Sequence, residues 1–415
     1  MQKGESAVAE KGLKKNLSWT AAGMVLYNLA IWLLSALTLR MLGATMSGYY
    51  AVAASIGNTL YAVALWGMRS FIVSDQRKEF SLEEYLGARL AAISIGAAVL
   101  VIILLASHYD SMQIVILILY SGFKFTEALI EVLDCFMQQR KQMEINARSM
   151  ILRSVLFMAG FYAILAATHS LAAGLAGILL CSLAVFFLYN LRSVRAAASL
   201  GTPAFSGRTA LIIRDCLPIM LFEMLAAAVV AIPRLRFQAI GSLDALGIYT
   251  SIYTMVVFMQ LAINIFIYTF APYMAEAWQK PGHAGFRKYL LMLFGGSAGL
   301  GLLAELMVLL LGRPVIGLLF GQQAAPYYSY LYIGIISGVT LAWTWIFSQL
   351  FTILRRMADL LICSAVSTAA CVLLSNLLVT ASDCNSMSLA LIGTNLVFII
   401  AASAMLALHR KERTE

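Results

Sequence analysis

The sequence predicts an all-α polytopic membrane protein of about twelve transmembrane helices, on three observations. Of the 415 residues, 61% are hydrophobic and only 12% are charged, whereas an ordinary globular domain is about half apolar and about a quarter charged. Uncharged runs are long: 23 residues from Leu17 to Leu39, 31 from Ala245 to Ala275, 23 from Leu360 to Ser382 and 24 from Asn385 to Leu408. About 20 apolar helical residues cross the hydrocarbon core, where every backbone polar group must be satisfied within the segment. Finally, no hydrophilic stretch exceeds roughly 25 residues, which leaves no room for a soluble catalytic domain.

In chain order the spans fall near 17–39, 48–74, 85–106, 112–137, 149–167, 171–190, 212–232, 246–272, 289–311, 328–353, 358–380 and 386–408. The first is longer than the apolar region of a signal peptide and lacks a small-residue cleavage site, so it is expected to be retained. The second ends at Asp75, and the breaks after the third and fifth contain His108 and His169. Leu191 to Arg208, with Gly201, Pro203 and Gly207, is the longest hydrophilic stretch and divides the chain almost evenly. Two six-helix lobes are expected, 1–195 and 212–415, joined by a cytoplasmic linker at 196–211. Pro218 and Pro233 bracket the seventh span and Pro272 ends the eighth. Tyr327, Tyr328, Tyr330 and Tyr332 open the tenth, where an interfacial aromatic belt belongs.

The loops alternate in charge. Of 29 Lys and Arg residues, 21 fall in the two termini and every second loop, while the opposite side carries Arg40, Arg234, Arg236 and Arg313. The positive-inside rule then puts both termini in the cytoplasm. This orientation accounts for the net charge of +9, since the basic residues are scattered over short loops without a folded domain to present them to nucleic acid. Six cysteines and four histidines show no metal-ligand spacing. There is no GxxxxGK[ST] phosphate loop, and no cofactor is expected.

Leu39-Arg-Met-Leu-Gly-Ala-Thr-Met-Ser-Gly-Tyr-Tyr50 has an echo in Leu235-Arg-Phe-Gln-Ala-Ile-Gly-Ser-Leu-Asp-Ala-Leu-Gly-Ile-Tyr249. Each pairs an Arg with a glycine turn and then opens a helix with Gly-x-Tyr. The copies start spans two and eight, six helices apart, which gives them the same orientation and indicates a parallel repeat with substrate handled between the lobes.

Further stretches are Lys124-Phe-Thr-Glu-Ala-Leu-Ile-Glu-Val-Leu-Asp134, Gln138-Gln-Arg-Lys-Gln-Met-Glu144, Ile232-Pro-Arg-Leu-Arg236 with Gly247-Ile-Tyr249, Leu318-Leu-Phe-Gly321 and Leu42 to Tyr49. Through these the chain resembles the lipid-linked oligosaccharide flippases of bacterial polysaccharide export, within the multidrug/oligosaccharidyl-lipid/polysaccharide exporter superfamily. The resemblance implies a twelve-helix transporter in the inner membrane that moves undecaprenyl-diphosphate-linked sugars outward by alternating access. It implies membrane lipids and polysaccharide-assembly proteins as surroundings, and no enzymatic activity.

Within that expectation particular residues stand out. Arg69 follows Asn58 by 11 residues, about 1,100° of helix, so both should line one face. An Arg at bilayer depth costs roughly 2.5 to 3.5 kcal/mol on insertion scales and so faces a wet interior, where a diphosphate would receive it; the alternative is snorkelling to cytoplasmic headgroups. Lys124, Glu127, Glu131 and Asp134 recur at spacings of 3, 4 and 3 as one charged stripe. Lys124 is expected to face the cavity. The three acids either gate it or couple an ion, or they fasten helices by pairing with Lys124 or with Arg153 on span five. Arg153 is also a candidate ligand for substrate. On span eight Tyr249, Tyr253, Gln260 and Asn264 fall within about 60° of one another, either contacting sugar or hydrogen-bonding between helices. Arg234 and Arg236 either receive diphosphate at the outer side or sit at headgroups.

Two rivals are a cation-coupled drug exporter, which would want an anionic cavity, and a membrane enzyme acting on lipid-linked glycans, which would want an outer catalytic loop. A scaffold without transport would carry its buried charges without a use.

Overall fold

A computed structural model describes residues 2–75, 79–140, 142–197, 200–279 and 285–412. Among these residues twelve helices are long and apolar enough to cross a membrane, and there is no strand beyond an isolated bridge between Thr380 and Asp383. The chain is an all-α polytopic membrane protein. Its helices are α1 (Gln2–Leu42), α2 (Ala44–Leu65, resuming as Met68–Ser74), α3 (Leu82–Ala106), α4 (Ser111–Gln139), α5 (Met143–Thr168), α6 (Leu171–Ala197), α7 (Gly207–Ile240), α8 (Leu243–Gln279), α9 (Phe286–Phe320), α10 (Ala325–Ile353), α11 (Met357–Leu378) and α12 (Asn385–Glu412).

The polar breaks in the sequence supply the helix caps. Ser81 and Glu84 form a reciprocal capping box at the start of α3, Asp110 accepts from the Gln113 amide at 2.7 Å before α4, and Ser170 accepts from the Ala173 amide at 3.3 Å before α6. Each satisfies amide donors that the first helical turn leaves unpaired. Pro218 and Pro233 do not bracket a helix: α7 extends beyond its apolar stretch at both ends and encloses them. Likewise α8 continues past 272 to Gln279.

Two compact units emerge, Met1–Leu42 with Ile56–Met224, and Gly43–Ser55 with Leu225–Glu415. Their boundaries fall between α1 and α2, inside α2 and inside α7. In the first unit α1 lies along α5, α5 and α4 pack on α6, and α3 packs on α4. In the second, α8 packs on α9 and α10, α10 on α12, and α12 on α11. Lipid tails are as apolar as leucine, so such contacts rest on close approach and hydrogen bonds between helices.

Within the expected linker, residues 200–211 belong to the first unit and are pinned to α3. The Ala204 and Gly201 amides donate to the Glu83 carbonyl at 2.9 Å and to Glu83 Oε1 at 2.8 Å, and Arg208 pairs with Glu84 at 2.7 Å. Gly87 permits this docking, because a Cβ there would overlap the Ala204 carbonyl.

In the second unit the two repeat segments meet. Gly48 at the start of α2 faces the Leu243 carbonyl, and Gly247 at the start of α8 faces the Ala44 carbonyl, each so closely that a Cβ would overlap it. Ser47 Oγ lies 2.7 Å from Ser251 Oγ and donates to the Gly247 carbonyl at 3.2 Å, while Thr45 Oγ1 donates to Asp244 at 2.7 Å. The equivalent glycines of the Gly-x-Tyr repeats thus let two helix starts pack backbone to backbone.

Candidate functional site

The charged stripe on α4 organises the first unit. Glu127 accepts from Tyr27 Oη on α1 and Arg153 Nη1 on α5 through Oε2, and from Ser182 Oγ on α6 at 2.8 Å through Oε1. Asp134 takes the other Arg153 nitrogen at 3.6 Å and accepts from Asn190 Nδ2 at 3.3 Å. Asn190 sits in a π-helical turn, Phe186–Asn190, and its own oxygen accepts from Ser149 at 3.0 Å. Apart from Tyr27, which is half-buried, these groups are buried. Glu127 and Asp134 thus pair with Arg153 on the neighbouring helix, the partner that the fastening reading expects. Arg153, expected as a candidate ligand for substrate, has its two terminal nitrogens on carboxylates and the Tyr27 ring over its face at 5.0 Å.

Lys124 behaves differently. It does not pair with Glu127 or Glu131, and it forms no ion pair among the described residues. Its ammonium instead sits over the rings of Tyr61 at 5.1 Å and of Tyr120 and Phe123 at 5.5 Å each. Aromatic faces attract a cation without cancelling its charge, so the site keeps a positive character. Beside it Tyr120 Oη donates to Asn58 Oδ1 at 3.4 Å, and Asn58 is exposed.

The expectation that Asn58 and Arg69 share a helical face is corrected, because α2 breaks between them. Trp66 and Gly67 adopt left-handed conformations with φ of 50° and 62°, and the count of 100° per residue ends at Leu65. The break turns Arg69 toward α4, where it meets Glu131 Oε1 at 3.5 Å and Gln138 Oε1 at 2.9 Å. A third cation, absent from the sequence expectations, completes this group. Arg89 on α3 is fully buried and reaches Glu131 Oε2 at 2.6 Å. A readable signal existed: the Ser81-x-x-Glu84 capping box starts α3 at Leu82, which puts Arg89 two turns inside the span.

In the second unit Tyr249 and Tyr253 are buried, with hydroxyls 2.7 Å from Ser388 Oγ and 3.0 Å from Ser337 Oγ. Those hydroxyls bond across helices, α8 to α12 and α8 to α10. Gln260 is buried with Nε2 unpartnered, and Asn264 is half-buried. Arg234 lies 5.4 Å from the Tyr253 ring, and the Nε atoms of Arg234 and Arg236 are buried without a hydrogen bond. Lys141 of the motif after α4 lies outside the described residues. Among the described residues no group of His, Cys, Asp and Glu is arranged to hold a metal ion, and all six cysteines are free.

The fold is similar to that of several solved transporters described as members of the MOP superfamily. Among solved structures, the chain is similar to an inward-facing multidrug resistance MATE family transporter of that superfamily, with 15% identity over 93% of this chain and 94% of the other and a TM-score of 0.65. It is similar to the lipid II flippase MurJ in an inward closed conformation, with 10% identity over 94% and 87% and a TM-score of 0.70. A MOP superfamily transporter from Pyrococcus furiosus, described as having a binding pocket of reverse polarity, gives 16% identity over 94% and 93% and a TM-score of 0.56. No protein-family model and no curated protein matches the sequence.

Proposed function

We propose that the protein is a flippase that carries lipid-linked oligosaccharide, joined through a diphosphate to undecaprenol, from the cytoplasmic to the outer leaflet of a bacterial inner membrane by alternating access. Lys124 is the observation that carries this reading. A cation inside a span, set over three aromatic faces and without an ion pair among the described residues, is a site that awaits an anion. Arg69, half exposed and loosely paired, is a second donor for phosphate oxygen. The MOP fold and the MurJ likeness support the assignment. Two net negative charges leaving a cell across about 100 mV would release about 4.6 kcal/mol, at about 2.3 per charge, so membrane voltage suffices as a drive.

A second reading, ion-coupled export of cationic compounds, is favoured by Glu223 on α7 and Glu305 on α9. Both lie within spans, neither forms an ion pair among the described residues, and Glu305 Oε1 is buried without a hydrogen bond. Carboxylates in such positions attract cations.

Reconstitution in liposomes with a fluorescent polyprenyl-diphosphate sugar separates the two. The wild type is expected to flip the probe, and Lys124→Ala with Arg69→Ala to slow flipping by at least about tenfold, the equivalent of about 1.4 kcal/mol in a binding or barrier term. Unchanged flipping in the double variant together with ethidium export would replace the flippase reading with the drug-export one.

A further inference from the structure

Glu131 is shared by two arginines that differ in every respect. Arg89 has a side chain 0% exposed and approaches Oε2 at 2.6 Å; Arg69 is 49% exposed and stands 3.5 Å from Oε1. Arg89 has a further task. Its Nη1 donates to the Ala64 carbonyl at 2.7 Å, an acceptor in the last turn of α2 that the break at Trp66 and Gly67 leaves without its helical amide. Trp66 Nε1 holds the same break to α7 by donating to the Ile213 carbonyl at 2.8 Å. One guanidinium therefore satisfies the broken helix end and neutralises the carboxylate.

The arrangement carries two positive charges on one negative, and an arriving anion meets only Arg69. Were Glu131 paired with Arg69 alone, drawing Arg69 away would strand a carboxylate inside the membrane, which is a large cost. With Arg89 in place Glu131 stays neutralised, and Arg69 gives up only a loose, half-exposed contact. Gln138 Oε1, at 2.9 Å, holds the waiting guanidinium with a neutral acceptor.

We propose that Arg89 is a positioning residue for anion binding: it retains Glu131 and the α2 break so that Arg69 can exchange from Glu131 and Gln138 onto a phosphate group of the ligand. This rests on the flippase reading and names how its diphosphate is received.

The test is binding of farnesyl diphosphate to the full-length protein in nanodiscs, with farnesol as uncharged control and a thermal midpoint for every variant. Glu131→Gln releases Arg69 from its competitor and, with a thermal midpoint lowered because the buried Arg89 loses its carboxylate, is expected to tighten binding about three- to fivefold, the scale of a half-exposed ion pair. Arg89→Gln makes Arg69 the sole counter-charge of Glu131 and is expected to weaken binding about tenfold or more. The Arg89→Gln, Glu131→Gln double variant removes the buried pair together and should bind within about threefold of wild type. Opposite signs for the two single variants are what a merely structural role would not produce. If Glu131→Gln weakens binding, or leaves it unchanged, in a protein that still folds, the exchange is overturned; this holds even where Arg89→Gln fails to fold. A wild type that binds neither farnesyl diphosphate nor any other anion, but does bind ethidium, sinks the flippase reading itself rather than this inference alone.

Discussion

Arg153 shows how a cation in a membrane span becomes structural. Its guanidinium, 4% exposed, bridges Glu127 and Asp134 while Tyr27, Ser182 and Asn190 fill the remaining acceptor sites. Four helices, α1, α4, α5 and α6, are tied at this one cluster. Arg153→Ala would leave two buried carboxylates uncompensated, and a loss of about 3 to 5 kcal/mol is expected, read as a lowered thermal midpoint in detergent. An unchanged midpoint would mean that the cluster fastens nothing. Lys124 lacks such partners, which separates the two cations by chemistry even though both lie in spans of the same unit. The spacing along α4 made the stripe legible in the sequence. Which stripe members were paired was not, because ion pairs form between helices and the order in which helices pack is not written in the period of any one of them.

Between elements, the sharpest contact is that of the repeat starts. Gly48 and Gly247 were visible in the sequence as matching Gly-x-Tyr steps; that they press α2 and α8 together emerged only with the packing. Cysteines at 47 and 251, in a protein stripped of its six native cysteines, should form a disulfide on mild oxidation in membranes, since the two hydroxyls are 2.7 Å apart. Gly247→Val in that background should abolish the cross-link, because its branched side chain would collide with the Ala44 backbone. Alkylation of free thiols with a polyethylene-glycol maleimide reads both results on a gel. A cross-link that survives Gly247→Val would show that the backbone approach is dispensable. The break at Trp66 and Gly67 is a lesson of the opposite kind. Hydropathy runs smoothly through it, and the helical arithmetic that joined Asn58 to Arg69 failed because a left-handed pair redirects a chain without changing its polarity.

For the molecule as a whole, the charge asymmetry of the loops makes a topological prediction. In a cysteine-free background, Ser107→Cys, Ser170→Cys and Ser382→Cys should react with a membrane-impermeant maleimide in intact spheroplasts, and Ser206→Cys only after the cells are opened. The reverse pattern would overturn cytoplasmic termini and, with them, the outward direction of transport. Ser206 also tests the linker, since its segment is docked on α3. Pro, Gly and polar residues at 191–208 indicated a linker, and the cleft that accepts it, at Gly87, was hidden within an apolar run.

What the amino-acid sequence settled was everything that depends on the bilayer as a solvent. The number of spans follows from the length of apolar runs, since hydrocarbon tolerates no unpaired backbone group, and the candidate polar residues follow from the cost of carrying charge to that depth. What awaited the tertiary structure was the fate of each charge. Whether a buried cation is neutralised, shared or left for a ligand is decided by neighbours on other helices, and there the distances of a few ångströms that set electrostatic energies are made by packing. Arg153 between two carboxylates, Arg69 sharing Glu131 with Arg89, and Lys124 without an ion pair among the described residues are three outcomes of one local chemistry, separated by which helix stands beside each.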